Sequence, residues 1–341
     1  MSTRTLFKTL VACAIGTLAS SAFAGLNPIN TWSGNVGLSV DGVGGNSAAV
    51  GNVQANIPIG ATILQAYLYS AGTPSPFYSD SPKTLADYNG AGITLNGTTI
   101  NNFDTMVGAV STPRPDIGRW FTGRADVTSL VKTWAAGGGN FSWAVTEGTK
   151  NSRIDGEVLA IVYSLPSLAK GSVVLLDGGQ NTGGETTTVT FAAPIDKSVA
   201  GFKAELGLGI SFSCCAQMST VNINGSTLTS FAGNNDDGAV VADGSLITVG
   251  GIGDTPIANP ASYADDHEHY DLSSFLKTGD TSFTIFTKND TQDDNIFFAS
   301  LYSTAEIGDV VPGVPEPSTY ALMVAGLGVI GFAARRRRVA R

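Results

Sequence analysis

Apolar and polar residues alternate along several segments of the chain. From Phe202 to Phe212 apolar side chains alternate with polar or small ones, and between Thr62 and Ser70 the same pattern places Leu64, Ala66 and Leu68 on one face. A two-residue period of this kind predicts β-strands that rest one face on a core. Turn-forming residues recur about every ten residues, which favours an antiparallel sandwich or barrel.

Several segments occur twice, in the same order. Asn96–Phe103 resembles Asn224–Phe231, Asp126–Thr133 resembles Asp271–Thr278, and Asp155–Ser164 resembles Asp294–Ser303. Repetition of this kind indicates two copies of one unit, each long enough to bury its own core. The sequence therefore predicts an all-β fold of two tandem antiparallel β-sandwiches, at residues 25–166 and 167–311, the second a more acidic repeat of the first.

The repeat makes a prediction for individual residues. Asn96-Gly97 and Asn224-Gly225 predict type I′ hairpin turns, because both residues of such a turn need positive φ. Superposition of the two halves should pair Asn96 with Asn224, Asp126 with Asp271 and Tyr163 with Tyr302.

Asp126 and Asp271 are expected to cap one short helical turn each, with Leu130 and Phe275 packed inward. After the first of these turns, Gly139-Asn140 leads into an alternating strand. An Asp-Val-Thr turn followed by Gly-Asn and a strand is similar to the late part of jelly-roll sandwiches of the galactose-binding-like kind. The resemblance implies a jelly-roll-like fold and leaves the ligand open.

The first 24 residues have the composition of a secretion signal. Arg4 and Lys8 precede an uncharged, mostly apolar stretch from Leu10 to Ala19, and Ala22-Phe23-Ala24 supplies the small-x-small pattern that a signal peptidase accepts. We expect a signal helix within residues 1–24, removed by signal peptidase so that the mature chain begins at Gly25.

Residues 312–341 form a second address segment. Pro315, Glu316 and Pro317 precede an uncharged stretch at residues 318–334, which ends at four arginines: Arg335, Arg336, Arg337 and Arg338. As a helix this stretch would span about 25 Å, the lower limit for crossing a bilayer. The arginines favour the cytoplasmic side and would stop transfer, with the body outside. The sequence therefore predicts a short transmembrane helix here.

This order of motif, apolar helix and arginine cluster resembles the PEP-CTERM tail of exosortase substrates in Gram-negative bacteria. The resemblance implies that a membrane exosortase cuts at the Pro-Glu-Pro motif and releases or transfers the body to the cell surface or the extracellular matrix. Bacteria with such proteins tend to make exopolysaccharide, which the resemblance therefore implies as a partner. It covers only residues 312–341.

The charge balance excludes some partners. Seven of the 19 basic residues lie in the two address segments, so the body with its motif carries 12 basic against 28 acidic residues. A body this acidic repels phosphate, which argues against nucleic acid and against an anionic membrane surface as partners.

Two cysteines remain after removal of the signal, Cys214 and Cys215. An oxidising compartment permits disulfides, but adjacent residues of one strand point to opposite faces. We therefore favour two separate thiols over a strained vicinal disulfide.

Two features of the sequence could bind a metal ion. His267-Glu268-His269 could contribute two imidazoles to a Zn²⁺ site, although the helical zincin spacing is absent and a solvated acidic loop explains the pattern more simply. Carboxylates that could suit a structural Ca²⁺ gather in the second half: Asp236, Asp237, Asp243, Asp254, Asp265, Asp266, Asp290, Asp293 and Asp294. No EF-hand spacing is present. We expect no required cofactor and no defined metal ligands.

The sequence offers little for catalysis. No nucleophile elbow, Walker loop or dinucleotide fingerprint occurs in a strand-to-helix context, so we assign no catalytic residues. Aromatic residues on loop-like segments could stack on sugar rings: Phe77, Tyr78, Tyr88, Trp120 and Phe121. We expect a non-enzymatic surface or matrix protein that binds exopolysaccharide. The alternative is a glycan-processing enzyme, since a carboxylate pair across a cleft cannot be read from sequence.

Overall fold

The structure, a computed structural model, describes residues 25–44, 50–72, 84–107, 121–147, 154–211, 219–233, 251–252, 268–291 and 295–312. These residues form 19 β-strands, two short α-helices and one 3₁₀ helix, and the strands make four antiparallel sheets. The all-β prediction is confirmed.

The first half holds β1 (Asn27–Gly34), β2 (Val36–Gly44), β3 (Val50–Ile57), β4 (Thr62–Gly72), α1 (Leu85–Ala91), β5 (Ile93–Leu95), β6 (Thr98–Ile100), β7 (Phe103–Val107), β8 (Phe121–Asp126), α2 (Thr128–Trp134), β9 (Gly139–Glu147) and β10 (Ile154–Ser164). The second half holds β11 (Gly171–Asp177), β12 (Glu185–Phe191), β13 (Ala204–Ser211), β14 (Ser219–Ile223), β15 (Ser226–Ala232), β16 (His269–Asp271), the 3₁₀ helix (Ser273–Phe275), β17 (Ser282–Asn289), β18 (Asn295–Ser303) and β19 (Ile307–Val311).

The four sheets stack in layers, named here sheets I to IV. Sheet I has the strand order β3-β9-β5-β6, sheet II β2-β10-β4-β8-β7, sheet III β1-β11-β18-β13-β16, and sheet IV β15-β14-β17-β12-β19. One apolar core lies between sheets I and II and another between sheets III and IV. Each pair of sheets therefore packs as a two-layer β-sandwich around its own core.

A third apolar core joins the two sandwiches. Tyr69 and Val158 from sheet II meet Leu175, Phe297 and Phe298 from sheet III, and all five residues are fully buried. β10 is consequently buried on both faces along almost its whole length. The body is therefore a four-layer stack with three cores, in which sheets II and III face each other.

The strand orders of the two halves correspond. In sheet II β2-β10-β4-β8 matches β11-β18-β13-β16 of sheet III, and the order of sheet I matches β12-β17-β14-β15 of sheet IV. Asn96 and Asn224 have positive φ angles of 49° and 52°, as the turn prediction requires. Their backbone N–H groups donate to the carbonyl oxygens of Ala144 and Thr284 at 2.9 and 3.0 Å, so the two turns are equivalent.

Asp126 and Asp271 are equivalent as well, but they are not the N-caps that the sequence predicts, because the N-cap positions are Val127 and Leu272. Each side-chain Oδ1 accepts a hydrogen bond of 2.8 Å from the backbone N–H two residues later, at the start of the short helical turn. The backbone N–H groups of Val127 and Leu272 donate to Ala66 and Ala204 of the neighbouring strand. Leu130 and Phe275 pack half-buried against their own cores, as expected.

Tyr163 and Tyr302 do not superpose as predicted. They lie in the corresponding strands β10 and β18, but Tyr163 packs in the core of sheets I and II whereas Tyr302 packs in the central core. Ala66 and Ala204 occupy equivalent positions in the two halves. Ile161 is the cross-strand partner of Ala66 and Ser303 is the partner of Ala204, so Ile161 is equivalent to Ser303 and Tyr302 is equivalent to Ala160. The two tyrosines therefore differ by three positions, and an odd shift turns a side chain to the other face.

The one-face prediction for β4 also needs correction. Ala66 and Leu68 lie in the core of sheets I and II, but Leu64 packs against the central core. The register between β10 and β4 shifts between Val162 and Tyr163, opposite this point. Such a bulge turns the following side chains to the other face.

The first strand of the chain crosses to the second half. β1 pairs with β11 in sheet III, from Asn27 opposite Asp177 to Gly34 opposite Gly171. Asn35 alone separates β1 from β2, which lies in sheet II. Residues 25–34 therefore complete a sheet of the second sandwich, although they belong by sequence to the segment 25–166.

Within the described residues, no helix is long and apolar enough to cross a membrane. The expected signal helix in residues 1–24 and the expected transmembrane helix in residues 318–334 lie outside the described part of the chain.

Candidate functional site

Three carboxylates gather at one end of the first sandwich. Glu147 ends β9, while Asp155 and Glu157 lie near the start of β10 and are each only 2% exposed. A bulge between Ile154 and Gly156 sets the register here, so that Glu157 lies opposite Ser70 of β4. The sheet itself thus holds the acidic side chains at the end of an apolar core.

Ser70 is a polar partner of Glu157 among the described residues. The Ser70 hydroxyl donates to Glu157 Oε1 at 3.0 Å, and the buried Tyr88 hydroxyl donates to the Ser70 carbonyl oxygen at 2.7 Å. Burial raises the pKa of Glu157 to about 8, which the Ser70 hydrogen bond opposes. Burial, with repulsion from Glu157 and Asp155, raises the pKa of Glu147 to about 10. At neutral pH both glutamates therefore favour the protonated, uncharged form.

The raised pKa values predict a pH dependence of stability. A carboxyl whose pKa is higher in the folded state stabilises the fold below its ordinary pKa near 4.5, and this stabilisation is lost as pH rises towards 8 to 10. The melting temperature should therefore fall between pH 5 and pH 9. In the double variant Glu147→Gln/Glu157→Gln most of that fall should disappear, because glutamine does not titrate. Glu306→Gln, at an exposed carboxyl, is the control and should keep the wild-type slope. An equal slope in the double variant would contradict the assignment.

The second sandwich ends in an uncharged polar cluster. Gln180, Ser211, Ser219, Asn289 and Asn295 are each at most 1% exposed. Ser219 Oγ donates to Gln180 Oε1 and Asn289 Nδ2 donates to Ser219 Oγ, both at 3.4 Å. Within the part of the chain that the structure describes, Gln180 Nε2, Ser211 Oγ and both amide atoms of Asn295 have no hydrogen-bond partner. Buried polar atoms of this kind commonly bind an ordered water.

An ion pair between described residues links the two sandwiches. The Arg124 guanidinium of β8 contacts the Asp177 carboxylate at the end of β11, and their side chains are 16% and 10% exposed. Tyr69 Oη donates to the same carboxylate at 3.3 Å, and the Arg124 guanidinium carbon lies 5.2 Å from the centroid of the Tyr67 ring. Burial raises the pKa of Asp177, while Arg124 lowers it. The positive charge of Arg124 in the first sandwich thus neutralises the negative charge of Asp177 in the second, at the edge of the central core.

The residues suspected of binding metal do not form a site in the described chain. His269 Nε2 lies 3.5 Å from Glu205 Oε2, and Glu268 is buried and accepts from the Gly233 backbone N–H. His267 lies outside the described residues, and among those described no group of three or more histidine, cysteine or acidic side chains could hold a metal ion.

Most of the acidic loop also lies outside the described residues, as do Cys214 and Cys215. Of the nine acidic residues suspected of binding Ca²⁺, only Asp290 is described, and it forms an ion pair with Lys288. The Ca²⁺ site stays a prediction.

The aromatic residues expected to stack on sugars are placed differently. Tyr88 and Phe121 were assigned to loop-like segments, but they are 0% and 1% exposed and pack in the core of the first sandwich. Tyr88 lies on α1 and Phe121 begins β8, where both fill space between the sheets. These two cannot stack on a ligand. Phe77, Tyr78 and Trp120 lie outside the described residues.

Sequence reasoning missed the carboxylate cluster, although a signal was present. β10 contains a continuous apolar run from Val158 to Tyr163, and two acidic residues, Asp155 and Glu157, lie in the same strand just before this run. Acidic residues in a buried strand must be paired, hydrogen-bonded or protonated, because burial of an unpaired charge costs free energy.

The comparisons with known proteins concern the tail. A family model described as the PEP-CTERM protein-sorting motif matches residues 313–338, a span that includes Pro315, Glu316, Pro317 and the four arginines Arg335, Arg336, Arg337 and Arg338. These residues lie outside the described structure. No curated protein and no solved structure matches the chain. The motif indicates an exported protein that is targeted by an exosortase to the cell envelope or surface.

Proposed function

We propose that this chain is a non-enzymatic protein of the bacterial cell surface or extracellular matrix that binds exopolysaccharide after an exosortase has processed its tail. The observation that carries the proposal is the sorting motif at residues 313–338, which follows directly on the last strand of the body. The four-layer stack supports a structural role, because its three apolar cores each bury many side chains.

Export follows from the two address segments. Signal peptidase removes residues 1–24 during passage through the inner membrane of a Gram-negative cell. The stretch at 318–334 then holds the chain as a transmembrane helix, with Arg335 to Arg338 in the cytoplasm and the body outside. Its many glycines and near-minimal length make it a marginal anchor, which suits a segment that is removed.

The mass of the mature protein from its native cell tests the processing step. We expect a chain that begins at Gly25 and lacks the four arginines. Replacing Pro315, Glu316 and Pro317 by alanine should leave export intact but keep the arginines on the mature protein, because the enzyme no longer has its motif. Replacing the arginines by glutamine is the control and should weaken membrane retention instead. Arginines retained on the wild-type mature protein would contradict the proposal and leave a plain membrane anchor.

The acidic body supports a particular class of polysaccharide. A net excess of carboxylates repels anionic polymers at low ionic strength, so a neutral polysaccharide is the better partner. Pull-down of neutral and anionic polysaccharides with the mature chain, beside hydrolase assays on the same preparation, tests binding and the absence of turnover together.

The carboxylate cluster favours a second candidate, a glycan-processing enzyme. Glu147 and Glu157 have raised pKa values, and a carboxylic acid that stays protonated at neutral pH can act as a general acid. Their burial argues for a structural role, since Glu157 is only 2% exposed. Any polysaccharide hydrolysis that is lost in Glu147→Gln and in Glu157→Gln, with the fold intact, would decide for the enzyme.

A further inference from the structure

The outer face of sheet IV carries a row of uncharged side chains around one aromatic ring. Thr186 of β12 is the cross-strand partner of Phe286 of β17, Phe286 is the partner of Asn222 of β14, and Asn222 is the partner of Thr227 of β15. Residues on either side of Phe286 in β17, Ile285 and Thr287, are buried inward, so the row faces away from the core. Directly paired side chains lie about 4.5–5.5 Å apart at Cβ, so the four form one continuous strip.

The strip has the features of a binding surface. Phe286 is half-buried, and Gly184 leaves room for its ring, because a Cβ on Gly184 would lie only 3.0 Å from it. Beside the ring, the Oδ1 atom of Asn222 is shielded from water and has no hydrogen-bond partner among the described residues. None of the four side chains carries a charge, and the nearest charged residue on this strand, Lys288, is paired with Asp290. In a body with a large excess of carboxylates, an uncharged strip complements an uncharged partner.

We infer that this strip, Thr186, Phe286, Asn222 and Thr227, binds a neutral polysaccharide chain. The inference rests on the proposed function and names its binding surface. The Phe286 ring stacks on the apolar face of one sugar ring, since aromatic rings present a large flat apolar surface. Rotation of the Asn222 carboxamide towards the strip brings its oxygen, which is shielded in the unbound protein, to a sugar hydroxyl that donates a hydrogen bond to it. Thr186 and Thr227 place hydroxyl groups along the strip on either side.

The repeat supplies a matched control position. Thr284 accepts a hydrogen bond from the turn at Asn224, and Ala144 accepts the same bond from the equivalent turn at Asn96. Thr284 and Ala144 are therefore equivalent. Two residues further along each strand, Phe286 is equivalent to Thr146 of β9. Asn222 and Thr227 are likewise equivalent to Thr94 and Thr99, which are cross-strand partners in sheet I. Sheet I therefore presents the same geometry without the aromatic ring.

The test measures binding of dextran, laminarin and galactomannan, with alginate as an anionic comparison, to the full chain in a detergent without sugar groups. Wild-type protein should bind at least one neutral polymer and not alginate. Phe286→Thr, which copies the residue of sheet I, should weaken that binding at least tenfold with an unchanged melting temperature. Phe286→Trp should retain it, Asn222→Ala should weaken it, and Thr146→Ala should leave it unchanged.

The outcomes separate the surface from the function. Binding by the wild type that Phe286→Thr and Asn222→Ala do not change would overturn the strip and leave the proposed function in place. No binding of any neutral polymer by the wild type would overturn both. A change in oligomeric state in Phe286→Thr, without any change in polysaccharide binding, would assign the strip to contact between copies of the chain and would also overturn the inference.

Discussion

Deleting residues 25–34 is expected to destabilise the whole body by about 5 kcal/mol, because a fully buried large apolar side chain contributes about 1.5–3 kcal/mol. The deletion removes buried Leu26 and the half-buried Ile29 and Trp32, and it exposes the edge of β11. Proteins of this kind are stable by only about 5–15 kcal/mol, so much of the fold should be lost at room temperature. Urea unfolding followed by tryptophan fluorescence measures the change. Deletion of residues 313–341 is the control and should leave the midpoint unchanged.

The same strand predicts how fragments behave. A fragment of residues 167–311 lacks β1 and exposes Leu175, Phe297 and Phe298 of the central core, so we expect it to aggregate or to remain unfolded. Addition of a peptide of residues 25–34 should improve its solubility by pairing with β11. Cooperative folding of the fragment 167–311 alone, at wild-type stability, would contradict the role assigned to β1 and to the central core.

The second large effect is expected at the ion pair between the sandwiches. Arg124→Met leaves the Asp177 carboxylate and the Tyr69 hydroxyl in the central region without their cation, and removal of one partner of a buried pair typically costs about 3–5 kcal/mol. Asp177→Leu should cost a similar amount, by leaving the guanidinium unpaired. The double variant Arg124→Met/Asp177→Leu should recover part of the loss, because no uncompensated charge remains. A double-mutant cycle in urea measures the coupling.

The Arg124→Met loss should also depend on pH. Burial raises the pKa of Asp177, and removal of the opposing Arg124 raises it further. The carboxyl then binds its proton more tightly in the folded state, so the variant is least affected below the ordinary pKa near 4 and loses stability as pH rises. Equal losses at pH 4 and pH 8 would show that packing, and not charge, explains the effect.

Local chemistry made part of the fold predictable. The turns at Asn96 and Asn224 depend on residues within a few positions of each other, and the structure has them as expected. Asp126 and Asp271 each accept a hydrogen bond at the start of a short helical turn, but they lie one residue before the N-cap position that was predicted for them. The correspondence of strand orders follows from the same repeated segments. The pairing of Tyr163 with Tyr302 failed because similar local sequence does not fix the register of a strand against its neighbours.

The central core was harder to predict. The apolar run of β10 is typical of a strand buried on both faces, yet a single sequence does not say which second sheet covers it. The pairing of β1 with β11 joins residues more than a hundred positions apart, beyond the reach of any local pattern. For the site, aromatic content alone misplaced Tyr88 and Phe121, since solvent exposure depends on which strands and helices enclose a ring.

The short distance between the last strand and the sorting motif limits how far from the folded body the processing enzyme can bind. β19 ends at Val311 and the motif begins at Pro315, so four residues of extended chain give a reach of about 14 Å at most. The catalytic groups of an enzyme that cuts at this motif must therefore come within about 14 Å of β19, the edge strand of sheet IV. The corner of the folded body formed by β12 and β19 must therefore fit against the enzyme, or β19 must leave the sheet before the cut. In the first case the substrate is a folded corner together with a peptide, and in the second it is a peptide released from the sheet.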